Sequence, residues 1–128
     1  MTARAIKFID THSHLQVERL DGHRAQWLAQ AREAGLENIL LCAGAPEDWE
    51  RTTAHEWGLG AMLGIHPLWL DSTTPAELVG LRELAESLLD DPHFIGLGEV
   101  GLDGFEPGLD QHKAEQVFLE ELKIARDL

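Results

Sequence analysis

Two histidines one residue apart, His12 and His14 in Phe8-Ile9-Asp10-Thr11-His12-Ser13-His14-Leu15, stand at the end of a β-prone run. Side chains on an extended strand alternate faces, so the two imidazoles point the same way and can close on one cation. Glu99, in Gly98-Glu99-Val100-Gly101-Leu102-Asp103, offers a carboxylate, and a third histidine lies in Gly64-Ile65-His66-Pro67. Imidazole nitrogen with carboxylate oxygen suits a divalent ion, and these donor types alone do not choose among zinc, manganese, magnesium and iron. The competing reading of Glu99 is a carboxylate that ties down a glycine-rich turn. For His66 the alternatives are contact with substrate or ordering of the loop before Pro67. Asp10 and Asp103 fit better behind a metal than on it, because a metal-bound histidine donates its second N–H to a carboxylate or carbonyl. His23, His55, His93 and His112 have no partner motif and read as solvated.

These residues need elements that bring them to one place. Four β-prone runs stand out, Ala5 to Ile9, Asn38 to Ala43, Gly60 to Ile65 and His93 to Gly98, with helical patterns between and after them. The first helix, Gly22 to Ala34, places Trp27, Leu28, Ala31 and Ala34 on one stripe and is ended by Gly35 in a left-handed cap. A weaker helix covers Pro46 to Trp57. Thr74-Pro75-Ala76-Glu77 supplies an N-cap, a first-turn proline and a capping-box glutamate for the third, whose buried stripe is Leu78, Leu81, Ala85 and Leu88. The fourth starts near Asp110 and buries Phe118, Leu122 and Ala125, while Glu115, Glu120 and Glu121 beside Lys113 and Lys123 form a solvated face. Trp69 is expected to pack against a helix, with the wall of the site as its alternative.

Strands alternating with helices in this way form βα units and a parallel sheet, and in such folds reactive groups collect at the C-terminal ends of the strands. His12, His14, His66 and Glu99 all follow strands. Four units in 128 residues are half of a (β/α)8 barrel, which takes about 250. The expected fold is therefore α/β, a (βα)4 parallel half of a TIM-type barrel, in a single partial domain over residues 1–128. A complete doubly wound sheet of four strands is the smaller alternative.

A net charge of -13 argues against sequence-independent binding along nucleic acid or anionic membrane by side chains alone, since that affinity comes from Lys and Arg displacing counterions. A phosphate-bearing substrate would need imported cations. Cys42 is the lone cysteine, reads as a small buried hydrophobe, and fits a reducing compartment. With no apolar run of membrane-spanning length, the expectation is a cytoplasmic chain. Gly96-Leu97-Gly98-Glu99-Val100-Gly101 satisfies G-x-G-x-x-G, yet the dinucleotide fingerprint must open a helix. Here a loop follows, and the inner glutamate would repel phosphates.

The ordered set Ile9-Asp10-Thr11-His12-Ser13-His14-Leu15, Gly64-Ile65-His66-Pro67, Gly96-Leu97-Gly98-Glu99-Val100-Gly101-Leu102-Asp103 and the helix Phe118 to Leu128 resembles the TatD family of metal-dependent hydrolases. The resemblance covers essentially the whole chain. It implies a (β/α)8 barrel with one or two divalent ions that hydrolyses ester bonds, phosphodiesters of DNA foremost, by metal-activated water. It also implies that His12 and His14 bind one ion, that Glu99 is a ligand able to bridge two, and that His66 lies near the substrate phosphate. Two local departures are Gly104-Phe105, where the family often has an aromatic pair, and Ala114, where it commonly has glutamine. The family's remaining ligands, two histidines and an aspartate on later strands, would lie beyond Leu128. That makes the chain the N-terminal half of such a site, completed by a C-terminal half. The alternatives are a non-catalytic half-barrel that self-associates and another His-x-His hydrolase, of the amidohydrolase or PHP phosphoesterase type.

Overall fold

The capping box read in Thr74-Pro75-Ala76-Glu77 forms as expected: Thr74 Oγ1 accepts from Ala76 N at 3.2 Å, and Glu77 accepts from Thr74 N at 2.8 Å. It opens the third of four helices in the computed structural model, which describes residues 6–54 and 59–128. The strands are β1 (Phe8–Ser13), β2 (Leu36–Ala43), β3 (Gly60–Leu63) and β4 (Phe94–Leu97). The α-helices are α1 (Arg24–Glu33), α2 (Trp49–Thr53), α3 (Pro75–Ser87) and α4 (Gln111–Asp127), and short 3-10 turns span Glu18–Leu20, Pro46–Asp48 and Pro67–Ser72. Gly35 does end α1 in a left-handed conformation, at φ 103°, where a side chain would be strained.

One sheet results, with spatial order β1-β2-β3-β4 and every neighbouring pair parallel. Each crossover returns to the adjacent position without reversal, which is the winding of a closed barrel and not of a doubly wound sheet. Alternate residues of β2 and β3, Leu41, Ala43, Ala61 and Leu63, are buried; Ala43 and Leu63 pack with Trp49, Leu81, Ala114, Val117 and Ile124 from the helices. Each fully buried Leu or Ile in this layer contributes about 1.5–3 kcal/mol. A β-carbon on Gly60 would meet Leu40 and Ile95 at 2.6 and 3.0 Å, so these two lie on the opposite face. On that face and at the β1 edge apolar side chains are open: Ile95 is 53% exposed and Ile9 62%.

Several expectations are corrected. Strand β1 runs from Phe8 to Ser13, so His12 is inside it and His14 just beyond; the expected start at Ala5 lies outside the described residues. The polar run Asp10 to Ser13 stays extended because it pairs with β2 as far as Leu41. Helix α2 is a short continuation of a 3-10 turn, and its expected end at Trp57 lies outside the described residues, as does His55. In α1, Leu28 is buried but Trp27 stays on the surface, stacked on His23 with ring centroids 5.2 Å apart, while Arg24 takes an inner position. Helix α4 buries Ala114, Val117, Glu121 and Ile124, one residue out of step with the expected Phe118, Leu122 and Ala125. Glu121, placed in a solvated face from sequence, is 1% exposed.

Candidate metal centre

Strand alternation brings the two histidines together. His12 Nε2 lies 3.3 Å from His14 Nε2, with the rings edge-on at 76°. Glu99 arrives two residues after β4, with Oε1 3.0 Å from His12 Nε2 and Oε2 3.5 Å from His14 Nε2. Metal–ligand bonds of about 2.0–2.1 Å put neighbouring donors roughly 3.3 Å apart on a tetrahedron and roughly 2.9 Å apart on an octahedron. The observed separations of 3.0–3.5 Å span the tetrahedral value and begin just above the octahedral one. His14 Nδ1 pairs with the Cys42 carbonyl at 2.8 Å and, as a carbonyl only accepts, must donate. A neutral His14 therefore aims a lone pair from Nε2 toward the Glu99 oxygens. Two imidazole nitrogens and a carboxylate converging in this way fit a divalent cation. Among the described residues, these three side chains form the cluster of metal-binding type.

His66 follows β3 and shares with His12, Cys42 and Glu99 a cavity of about 350 Å³. Its Nδ1 accepts the Leu68 backbone N–H at 3.1 Å, so a neutral ring carries its proton on Nε2 and presents a donor, not a lone pair. Two glycines permit this crowding. A β-carbon on Gly44 would stand 2.9 Å from His66 Cβ and 3.0 Å from Glu99 Oε2, and one on Gly64 only 2.3 Å from the Glu99 carbonyl oxygen.

The backbone beneath His66 is held by groups that carry no motif. Trp49 Nε1 donates to the Gly64 carbonyl at 3.0 Å, and Glu121 Oε1 accepts from Ile65 N at 2.7 Å. Burial pushes the Glu121 carboxyl up from the usual 4.5 to about 8, against the smaller lowering effect of the Ile65 N–H. Its signal in the sequence is a position in step with Ala114, Val117 and Ile124, overridden by its charge. The loop after His14 is also clamped: Arg24 donates to the carbonyls of Leu15, Gln16 and Val17, and Arg51 to that of Gln16, while the buried Gln16 amide shares the Cys42 carbonyl with His14.

The remaining expectations divide. Asp10 accepts from the backbone N–H of His12, and Asp103 from those of Phe105 and Glu106, so the partners seen for these carboxylates are amides and not the imidazoles. Burial pushes the Cys42 thiol up, with Glu99 and Asp10 adding to the shift, consistent with a buried hydrophobe. Trp69 is exposed in the turn after His66, where a helix contact was expected. His112 pairs with Gln116 on the surface of α4, and His93 with Asp91. Among the described residues no helix is long and apolar enough to cross a membrane.

A protein-family model described as TatD related DNase matches residues 9–128. An uncharacterized metal-dependent hydrolase of Escherichia coli K12, YjjV, is 31% identical in a 124-residue alignment that covers 94% of this chain and 47% of that protein. A protein of Cronobacter turicensis named 3'-5' ssDNA/RNA exonuclease TatD is 26% identical over 93% of this chain and 45% of its own length. The crystal structure of the E. coli YjjV protein, a TatD homologue, superposes with a TM-score of 0.86 at 29% identity, over 94% of this chain and 47% of that one. The chain thus spans about half the length of the curated relatives it matches, and its four parallel βα units correspond to half of the relative's barrel. A singly wound parallel sheet, a strand-end His-His-Glu cluster and a match over almost the whole sequence agree: the chain belongs to the TatD-related DNase family.

Proposed function

We propose that this chain carries one wall of a metal-dependent hydrolase site that cleaves ester bonds, phosphodiesters of DNA foremost. The observation that carries the reading is the convergence of His12 Nε2, His14 Nε2 and both Glu99 oxygens at 3.0–3.5 Å. In this reading His12, His14 and Glu99 hold a divalent ion, whose identity the donor set leaves open. The ion, when bound, lowers the pKa of coordinated water and neutralises charge on phosphoryl oxygens. His14 is locked in the ligating tautomer by the Cys42 carbonyl. His66, with Nδ1 taken by the Leu68 amide, donates from Nε2 to a non-bridging phosphoryl oxygen and stabilises the charge that develops there. A chain of net charge -13 leaves the attraction of a polyanion to the ion and to such donors. The names of the nuclease relatives support the substrate class.

In the same reading the open β1 edge and the exposed Ile9 and Ile95 call for a complementing βα half, with a second copy of the chain as the competing occupant. The functional test is hydrolysis of bis(p-nitrophenyl) phosphate and a single-stranded oligonucleotide with added manganese, magnesium or zinc. Turnover that chelation abolishes and His66→Ala lowers supports the assignment. Turnover of amide or phosphomonoester substrates instead overturns it. Sedimentation separates the occupants: a well-behaved monomer at assay concentration counts against the second copy.

A further inference from the structure

Beside the site, the sheet among the described residues leaves the buried Ile65 N–H without a ladder partner. Gly64 N and His66 N donate to the β2 side, to Ala43 O at 3.0 Å and Gly44 O at 2.7 Å. Alternation turns the Ile65 N–H toward β4. There the last rung is Gly98 N to Leu63 O, at 2.8 Å; beyond it the chain leaves the ladder, carrying Glu99 to the histidines. Ile65 is buried, so water does not take the place of the missing rung, and an unpaired buried amide is costly. Helix α4 supplies the acceptor by placing Glu121 within an otherwise apolar stripe of Ala114, Val117 and Ile124, with Oε1 2.7 Å from Ile65 N. Glu121 Oε2 makes no hydrogen bond among the described residues. An apolar residue would fill that stripe without the penalty of burying a carboxyl, so the acceptor is what the position supplies.

We propose that Glu121 is a positioning residue for His66: its carboxyl replaces the absent β4 rung at Ile65 and fixes the backbone from which the imidazole presents its Nε2–H. The inference rests on the reading of His66 as the substrate-facing donor. It is tested on the full chain as wild type, Glu121→Gln and Glu121→Leu, by 15N NMR of the His66 ring and by titration of inorganic phosphate into the zinc-loaded protein. Gln keeps an acceptor, so the Nε2–H tautomer signature persists and phosphate affinity stays within about twofold. Leu frees the turn, the ring averages between tautomers, and phosphate binds about tenfold more weakly while zinc affinity is unchanged. A Leu variant that keeps both signature and affinity overturns the proposal, as does a Gln variant that loses them. Should the Leu chain fail to fold, hydrogen exchange decides: the Ile65 amide is protected in wild type and Gln, and free exchange in the folded wild type overturns the clamp. Absence of phosphate binding with the tautomer responses intact would reject the role of His66 and leave the clamp standing.

Discussion

Replacing Glu121 by glutamine should stabilise the fold, by an amount that grows with pH. The folded carboxyl titrates at about 8 and the ordinary one at 4.5, so between these values the folded chain keeps a proton that the unfolded chain has lost. Stability therefore falls as pH rises from about 4.5 to about 8 and levels off above. At about 1.36 kcal/mol per pK unit, the penalty relative to a neutral isostere is about 1 kcal/mol at pH 5, about 3 at pH 7 and about 5 at pH 9. Against a total domain stability of about 5–15 kcal/mol these are large fractions. Gln retains the acceptor for Ile65 N and adds an amide NH2 whose cost does not vary with pH, so the pH-dependent part of the difference isolates the ionisation. The assay is urea unfolding of both chains by tryptophan fluorescence from pH 5 to 9, read as the difference in unfolding free energy. A difference that widens by roughly 2 kcal/mol between pH 5 and 7 is expected. A difference that is flat, or that narrows as pH rises, refutes the reasoning.

Other expectations follow from close approaches and caps. Gly64→Ala puts a β-carbon 2.3 Å from the Glu99 carbonyl oxygen, and since that atom is backbone, a loss of more than about 3 kcal/mol is expected in thermal unfolding. Gly44→Ala presses on His66 Cβ and on Glu99 Oε2 at 2.9 and 3.0 Å, so it should weaken zinc binding about tenfold in calorimetric titration. Thr74→Ala removes the side-chain half of the α3 capping box and should cost about 1 kcal/mol in urea unfolding without changing zinc affinity.

What the sequence reveals about this fold depends on whether the signal is local. The α3 start is legible because Thr74, Pro75 and Glu77 lie within one turn and cap their own helix. Two of the donors, His12 and His14, are legible because strand alternation sends them the same way whatever the sheet does. Glu99 is legible through its place after a strand, since parallel sheets gather such residues at one end. The second half of strand β1 hides because Asp10-Thr11-His12-Ser13 breaks the apolar pattern, on an edge strand that is mostly exposed. The buried face of α4 hides because a glutamate stands in it, and charge is read as solvent until the segment after β3 supplies the Ile65 amide to meet it. The tautomers of His14 and His66 come from the Cys42 carbonyl and the Leu68 amide, contacts that spacing alone does not encode.

X-ray absorption at the zinc edge of the zinc-loaded chain tests the central claim most directly. One zinc per chain is expected, with two imidazole nitrogens from His12 and His14 at about 2.0–2.1 Å, oxygen from Glu99 at about 2.0–2.2 Å, and no sulfur. A zinc shell without two imidazoles, a sulfur neighbour at about 2.3 Å from Cys42, or no bound zinc would contradict it.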